Sequence, residues 1–296
     1  MRNRRTIAAA LSVLALTAVA ACGKEAPKSD DSSAKLPTYT VKTDAAVSGS
    51  KVFEEAKKRG KLVIGAKSDQ PFLGFENVTT KTRDGFDIEI AKMIAADLGF
   101  GPDKIEWKTI VSANRETALK NAQIDLYVGT YTINDTRKQS VSFAGPYYVA
   151  GQDLLVKATN KEITGPESVA GKKVCSVTGS TSVKQIKTYN PGTVVEYETY
   201  AQCVDKLLTD EVDAVTTDDA ILKGFGAKNA GKLRVVGKPF TKEPYGIGVQ
   251  KEDPAFQQAV IAALKAHEDN GDWKKAYDAT LGLSGSPAPE IPALTN

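Results

Sequence analysis

Gly129-Thr-Tyr-Thr-Ile-Asn-Asp-Thr-Arg137-Lys-Gln-Ser-Val-Ser-Phe143-Ala-Gly-Pro-Tyr147-Tyr148 is the stretch from which the rest of this 296-residue chain can be read. The apolar residues 126–128 before it read as a strand ending at Gly129. Thr130 and Thr132 then stand at the mouth of a helix that carries Arg137. Free N–H groups and the helix dipole favour an anion at such a mouth. A guanidinium grips a carboxylate through two parallel hydrogen bonds. The segment therefore reads as a carboxylate clamp, with a solvated helix arginine as the plainer alternative.

Outward from the clamp, strands and helices alternate. Residues 61–66 form a short apolar strand after the helical 52–59, which Gly60 stops. Residues 87–98 form an amphipathic helix with Phe86, Ile90, Met93, Ile94 and Leu98 on one face. A strand at 105–110 leads to a helix at 114–121, and the strand 126–128 delivers the clamp. The rhythm repeats with strands at 173–176, 194–197, 214–217 and 233–236, and with helices opening at Thr178–Ser182, after 197 and at Asp219. A strand at 245–249 precedes helices over 254–281, where Trp273 and Tyr277 are the expected packing residues. This βαβα order predicts α/β architecture with mostly parallel sheets flanked by helices.

The beginning of the chain addresses it for export. Arg2, Arg4 and Arg5 precede an apolar run, Ile7 to Ala21, too short to span a bilayer as a mature helix. Residues 1–21 read as a signal peptide, and Val19-Ala20-Ala21-Cys22 has the small-residue character of a lipoprotein processing site. Cys22 would be diacylated, which places the protein at the outer face of the cytoplasmic membrane. Removal of the three arginines leaves 36 Lys+Arg against 36 Asp+Glu, a formal charge of zero. Nothing in that balance points to a nucleic-acid surface. Residues 22–50, rich in Lys, Asp, Ser, Ala and Pro, read as a flexible tether, and 284–296 as an irregular tail.

Several motifs resemble those of bacterial solute-binding proteins of polar amino acid ABC importers. The pattern Thr130-x-Thr132-x-x-x-x-x-Arg137 before Phe143-x-x-Pro-Tyr-Tyr148 resembles that family's α-carboxylate clamp. Gly85-Phe-Asp-Ile-Glu-Ile-Ala91, Val212-Asp-Ala-Val-Thr-Thr-Asp218 and Asn270-Gly-Asp-Trp273 resemble three further signatures, in the family's order. The resemblance implies a two-lobed periplasmic-binding-protein (Venus-flytrap) fold. It also implies two chain crossings, with 51–151 plus 245–283 in the first lobe and 152–244 in the second. Such a protein is expected to work as a monomer that closes about a hinge and hands its ligand to permease subunits, without a cofactor or a metal.

A free amino acid makes three demands. Its α-carboxylate is assigned to Arg137, Thr130 and Thr132, with Ser180 and Thr181 adding donors from the second lobe. Its α-ammonium is assigned to Asp218, where the family places such a carboxylate; a helix N-cap is the alternative role. For the side chain, Lys67 and Arg115 fall where glutamate and aspartate binders often carry cations. A buried cation without a local acid is costly unless an anion joins it, so an acidic amino acid, glutamate foremost, is expected. Gln70 and Tyr200 can equally bond an amide, which keeps glutamine or asparagine open. Lys67 projecting to solvent, and Arg115 pairing with Glu116 or Asp125 at the surface, are the plain readings.

Cys175 and Cys203 lie on positions that a doubly wound lobe can bring together, and an exported chain is oxidised, so a disulfide closing a loop of about 28 residues is expected over two separate buried thiols. His267, the one histidine, reads as a surface residue. No Ser-His-Asp set, phosphate loop or metal cluster appears. An enzyme on this architecture, such as a cyclohexadienyl dehydratase, would need an acid or base facing the ligand, for which Glu198 is the only candidate. A sensory receptor is the remaining alternative.

Overall fold

The computed structural model describes residues 36–295. The leader, Cys22 and the first part of the expected tether lie outside them. Helix α1 (Lys51–Arg59) is capped by Ser50 and leads into β1 (Leu62–Ala66), then a small three-stranded sheet of β2 (Asp69–Gln70), β3 (Gly74–Glu76) and β4 (Arg83–Asp84). Next come α2 (Phe86–Asp97), β5 (Ile105–Thr109), α3 (Arg115–Lys120), β6 (Leu126–Val128), α4 (Asp135–Lys138) and β7 (Val141–Ala150). The second half runs β8 (Gln152–Lys157), β9 (Lys173–Val177), α5 (Thr181–Lys187), β10 (Thr193–Tyr197), α6 (Tyr200–Leu208), β11 (Ala214–Asp218), α7 (Asp219–Lys228) and β12 (Leu233–Val235). Strand β13 (Glu243–Gln250) and helices α8 (Pro254–Asp269) and α9 (Asp272–Ala279) follow.

Two five-stranded sheets result, ordered β5-β1-β6-β13-β7 and β10-β9-β11-β8-β12. This is the two-lobed α/β architecture expected, with one correction. Each sheet is mixed, because β13 pairs antiparallel with β6 and β7, and β8 antiparallel with β11 and β12. Parallel pairing is confined to the β5-β1-β6 and β10-β9-β11 halves. Strand β7 escaped the sequence reading because Gly145 and Pro146 interrupt it, and both residues weaken a strand pattern. Opposite them the ladder shifts register between Tyr245 and Ile247. The first crossing, expected near residues 151–155, runs straight into the interior strand β8.

Strand β1 is buried along its whole length. Its alternation sends Leu62 and Ile64 into the main core and Val63 into a second cluster with Leu119, Tyr127 and Tyr131. Both faces are therefore covered, as parallel strands require. Trp273 and Tyr277 stack against each other and meet Phe86 edge-on, and the Trp273 indole N–H donates to Tyr147 O at 2.8 Å. The chain leaves the first sheet at Gly151 and returns beside it: Gln152 N–H donates to Thr241 Oγ1 at 2.9 Å. A Cβ on Gly151 would lie 2.6 Å from the Thr241 carbonyl oxygen, so the two crossings can touch only because this residue is glycine.

Three peripheral expectations need revision. Residues 36–50 lie against the first lobe, with Tyr39 OH donating to Glu89 Oε2 at 2.9 Å and Lys42 N–H to Ala96 O at 2.9 Å. The tail is irregular but docked, through Thr295 N–H to Gly145 O at 2.8 Å. His267 is buried rather than exposed, paired with Asp272 at 2.9 Å and near Asp97 at 3.6 Å. In the second lobe Cys175 and Cys203 form a disulfide with their Cα atoms 5.5 Å apart.

Candidate ligand-binding site

The clamp loop hangs from α2. The Asp87 carboxylate, fully buried, accepts the Thr130 N–H at 3.0 Å and the Tyr147 hydroxyl at 2.7 Å. Burial pushes this carboxyl up to about 6 against the pull of those bonds. Thr130 is held with φ at +45°, a left-handed conformation that is strained for a β-branched residue. Helix α4 spans only four residues, and Asn134 already accepts the Arg137 N–H at 2.9 Å. The expected anion site at a helix mouth is therefore corrected: any grip comes from the Arg137 side chain and not from a dipole.

Arg137 is buried. Its Nη1 donates to Thr132 O at 2.7 Å, its Nη2 to Gly179 O of the second lobe at 3.3 Å, and its Nε lies 3.3 Å from Glu116 Oε1. Arg115, 2% exposed, donates Nε to Ser112 O at 3.0 Å, Nη1 to Thr130 O at 3.4 Å and Nη2 to Gly179 O at 3.4 Å. Both guanidiniums lie over the Tyr131 ring, 4.3 Å and 4.9 Å from its centre. Burial and the neighbouring Arg115 pull Arg137 down to about 10. The surface pairings considered for Arg115 do not form, since Glu116 pairs with Arg137 and Asp125 with Arg59.

Lys67 is also buried, with Nζ donating to Ser112 Oγ at 2.7 Å. Burial first, then Arg115, lowers this ammonium to about 7. Gln70, fully buried, exchanges hydrogen bonds with Thr130 Oγ1 at 3.2 and 3.3 Å.

From the second lobe, Asp218 ends β11 and is 4% exposed. Its Oδ2 accepts the Tyr245 hydroxyl at 2.7 Å, while its Oδ1 is buried without a partner. Burial and the nearby Glu243 raise this carboxyl to about 8. It makes no side-chain cap bond to α7, so the N-cap alternative fails. Ser180 does cap α5, accepting the Val183 N–H at 3.2 Å. Thr132 and Thr181 both donate their hydroxyls to Glu243 Oε2, at 2.7 and 3.0 Å, and Thr241 donates to Oε1 at 2.8 Å. Glu243 and Tyr245 had no signal in the sequence, because each sits in an ordinary strand pattern. Asp87 lay inside a quoted motif without an assigned role.

Arg115, Thr130, Thr132, Arg137, Ser180, Thr181, Tyr200 and Asp218 line one cleft between the lobes, drawn in to a cavity volume of about 10 Å³. Lys67 does not reach its wall and acts on it through Ser112. Glu198 is exposed and lines no part of it, which leaves the dehydratase alternative without its residue. Two lobes thus enclose a small polar chamber with guanidiniums on one wall and an unpartnered carboxylate oxygen on the other. Residues 62–282 match the bacterial extracellular solute-binding proteins, family 3. The chain belongs to that family.

The glutamate-binding protein GluB of Corynebacterium efficiens is 39% identical over 238 residues, covering 77% of this chain and 81% of that protein. A glutamine-binding protein of Geobacillus stearothermophilus is 38% identical over 245 residues, covering 82% and 91% respectively. The solved structure of an ancestral arginine-binding protein bound to glutamine superimposes with a TM-score of 0.71 at 33% identity, over 76% of this chain and 99% of that one. These relatives are binding proteins and not enzymes, and membership of an extracellular family makes this solute-binding protein an exported one.

Proposed function

We propose that this solute-binding protein captures an acidic amino acid, glutamate foremost, and delivers it to the permease subunits of an ABC importer. In this reading it works as a monomer held at the outer face of the cytoplasmic membrane by a diacylated Cys22. Residues 51–151 with 245–283 act as one lobe and 152–244 as the other.

One observation carries the ligand assignment. Lys67 and Arg115 are buried and form no ion pair among the described residues. Their bonds go to a hydroxyl and to backbone carbonyls, all neutral. Two unpaired buried cations are costly, and a side-chain carboxylate entering beside Arg115 offsets that cost. Arg137 takes the α-carboxylate and the free Oδ1 of Asp218 takes the α-ammonium. The ligand then satisfies charge on both lobes at once, so closure is favoured only when it is present. Empty closure is opposed from both sides, since it drives Asp218 toward its neutral form and Lys67 toward its own.

Lys67 at about 7 also gives the amide reading a footing, because near neutrality a good part of that positive charge is absent. Lys67→Ala separates the two. An acidic-ligand site loses its preference for glutamate over glutamine by about tenfold, as expected for one removed charge near a partly desolvated anion. An amide site keeps its ratio.

A further inference from the structure

The loop from Asp69 to Phe72 faces two ways. Inward, Gln70 holds Thr130 of the clamp. Outward, it touches the other lobe at three places. Asp69 Oδ2 accepts the backbone N–H of Tyr200 at 2.8 Å and of Ala201 at 3.2 Å, the first two residues of α6. Of the first-turn N–H groups, the N-cap Thr199 side chain accepts only that of Gln202, so Asp69 supplies the acceptor that the first two residues of α6 lack. The Pro71 carbonyl lies against Gly224 of α7, where a Cβ would come within 2.5 Å of the oxygen. The Lys228 ammonium stands 5.2 Å over the Phe72 ring. None of Asp69, Pro71, Phe72, Gly224 or Lys228 lines the ligand cavity.

We infer that Asp69 is an affinity-setting residue that never touches the ligand: it caps α6 across the cleft and, with Pro71 and Phe72, clasps the lobes shut. The physics is that of a helix N-terminus, whose partial positive charge and free N–H groups favour a carboxylate. Here the carboxylate belongs to the opposite lobe, so its whole contribution is lost on opening and appears in the closing equilibrium. Clasp contacts therefore scale the affinity for every ligand that closes the lobes, whereas cavity residues set the preference among ligands. The inference holds whichever amino acid the cavity prefers.

The test compares the wild-type protein with Asp69→Ala, Asp69→Asn and Gly224→Ala, titrating each with glutamate and with glutamine and following release by stopped flow. Asp69→Ala is expected to weaken whichever of the two binds by about tenfold through faster release, with Asp69→Asn in between. Asp69 also faces Lys67, so the glutamine value isolates the clasp. Gly224→Ala adds the methyl that meets Pro71 while favouring helix over glycine. It is expected to weaken both ligands alike without lowering the melting temperature of the empty protein. Small-angle scattering at saturating ligand should show a larger radius of gyration for both Ala variants. Wild-type affinity in Asp69→Ala and Gly224→Ala overturns the inference. So does a loss in Gly224→Ala confined to one ligand, which would put the loop in the cavity.

Discussion

Asp218→Asn tests the electrostatics of the site most sharply, because the account assigns it opposite effects on the empty and the filled protein. Asp218 is 4% exposed, anchored through Oδ2 by the Tyr245 hydroxyl at 2.7 Å, with Oδ1 unpartnered. Asparagine keeps the shape and the acceptor for Tyr245. In that orientation it replaces the free oxygen with an amide N–H₂, which repels the ammonium instead of binding it. Truncating one partner of a buried, hydrogen-bonded charge pair costs about 2–5 kcal/mol, or roughly 30-fold to several thousand-fold in affinity. In the empty closed site burial already drives this carboxyl toward its neutral form, so replacing it by a neutral amide is neutral or stabilising. Calorimetric titration reads the first effect, and thermal melting with and without ligand reads both. The variant should melt no lower than wild type when empty and gain far less from saturating glutamate. Affinity within about threefold of wild type, or a lower empty melting point, would refute the ammonium assignment.

Two further outcomes follow. The pH profile of glutamate affinity has two limbs. Asp218 is raised to about 8 in the empty closed site, and the ammonium needs it ionised, so binding expels a proton and strengthens as pH rises toward 8. Lys67 is lowered to about 7, and a carboxylate ligand holds it protonated, so binding takes up a proton and weakens as pH rises above 7. An optimum between the two is expected for glutamate, measured by titration from pH 5 to 9, whereas glutamine should lack the alkaline limb. Replacing Cys175 and Cys203 by Ser opens a loop with a sequence separation of 28, worth roughly 3–4 kcal/mol on the chain-entropy account. That corresponds to a drop of about 10 °C in the melting temperature under oxidising conditions; equal melting would contradict a structural role for the bridge.

Strands β1 and β6 were legible as short apolar runs, and α2 by its length and its glycine stop, although α2 is buried nearly all round and not on one face as its pattern suggested. Strand β7 was not, since Gly145 and Pro146 break the local pattern that tertiary pairing with β13 restores. The strap from Leu36 to Ser50 reads as polar tether by composition, yet a few contacts from Tyr39, Lys42 and Ser50 suffice to dock it. Within the cavity, Arg115, Thr130, Thr132, Arg137, Thr181 and Asp218 stood in motifs whose residue types already imply charge recognition. Glu243 did not, because a carboxylate on a strand end acquires its meaning only when Thr132 and Thr181 converge on it from two lobes. Lys67 was named as a ligand contact but stands behind Ser112, a distinction of one hydrogen bond that no linear pattern records.

The central claim is that the cations at Lys67 and Arg115, unpaired among the described residues, await a second carboxylate. Calorimetric titration of the ligand-stripped protein with glutamate, aspartate, glutamine, asparagine and arginine tests it directly. The account predicts tight binding of glutamate, with glutamine weaker by at least about tenfold, as one unsatisfied buried cation requires. Glutamine binding as tightly as glutamate, or tighter, would contradict it.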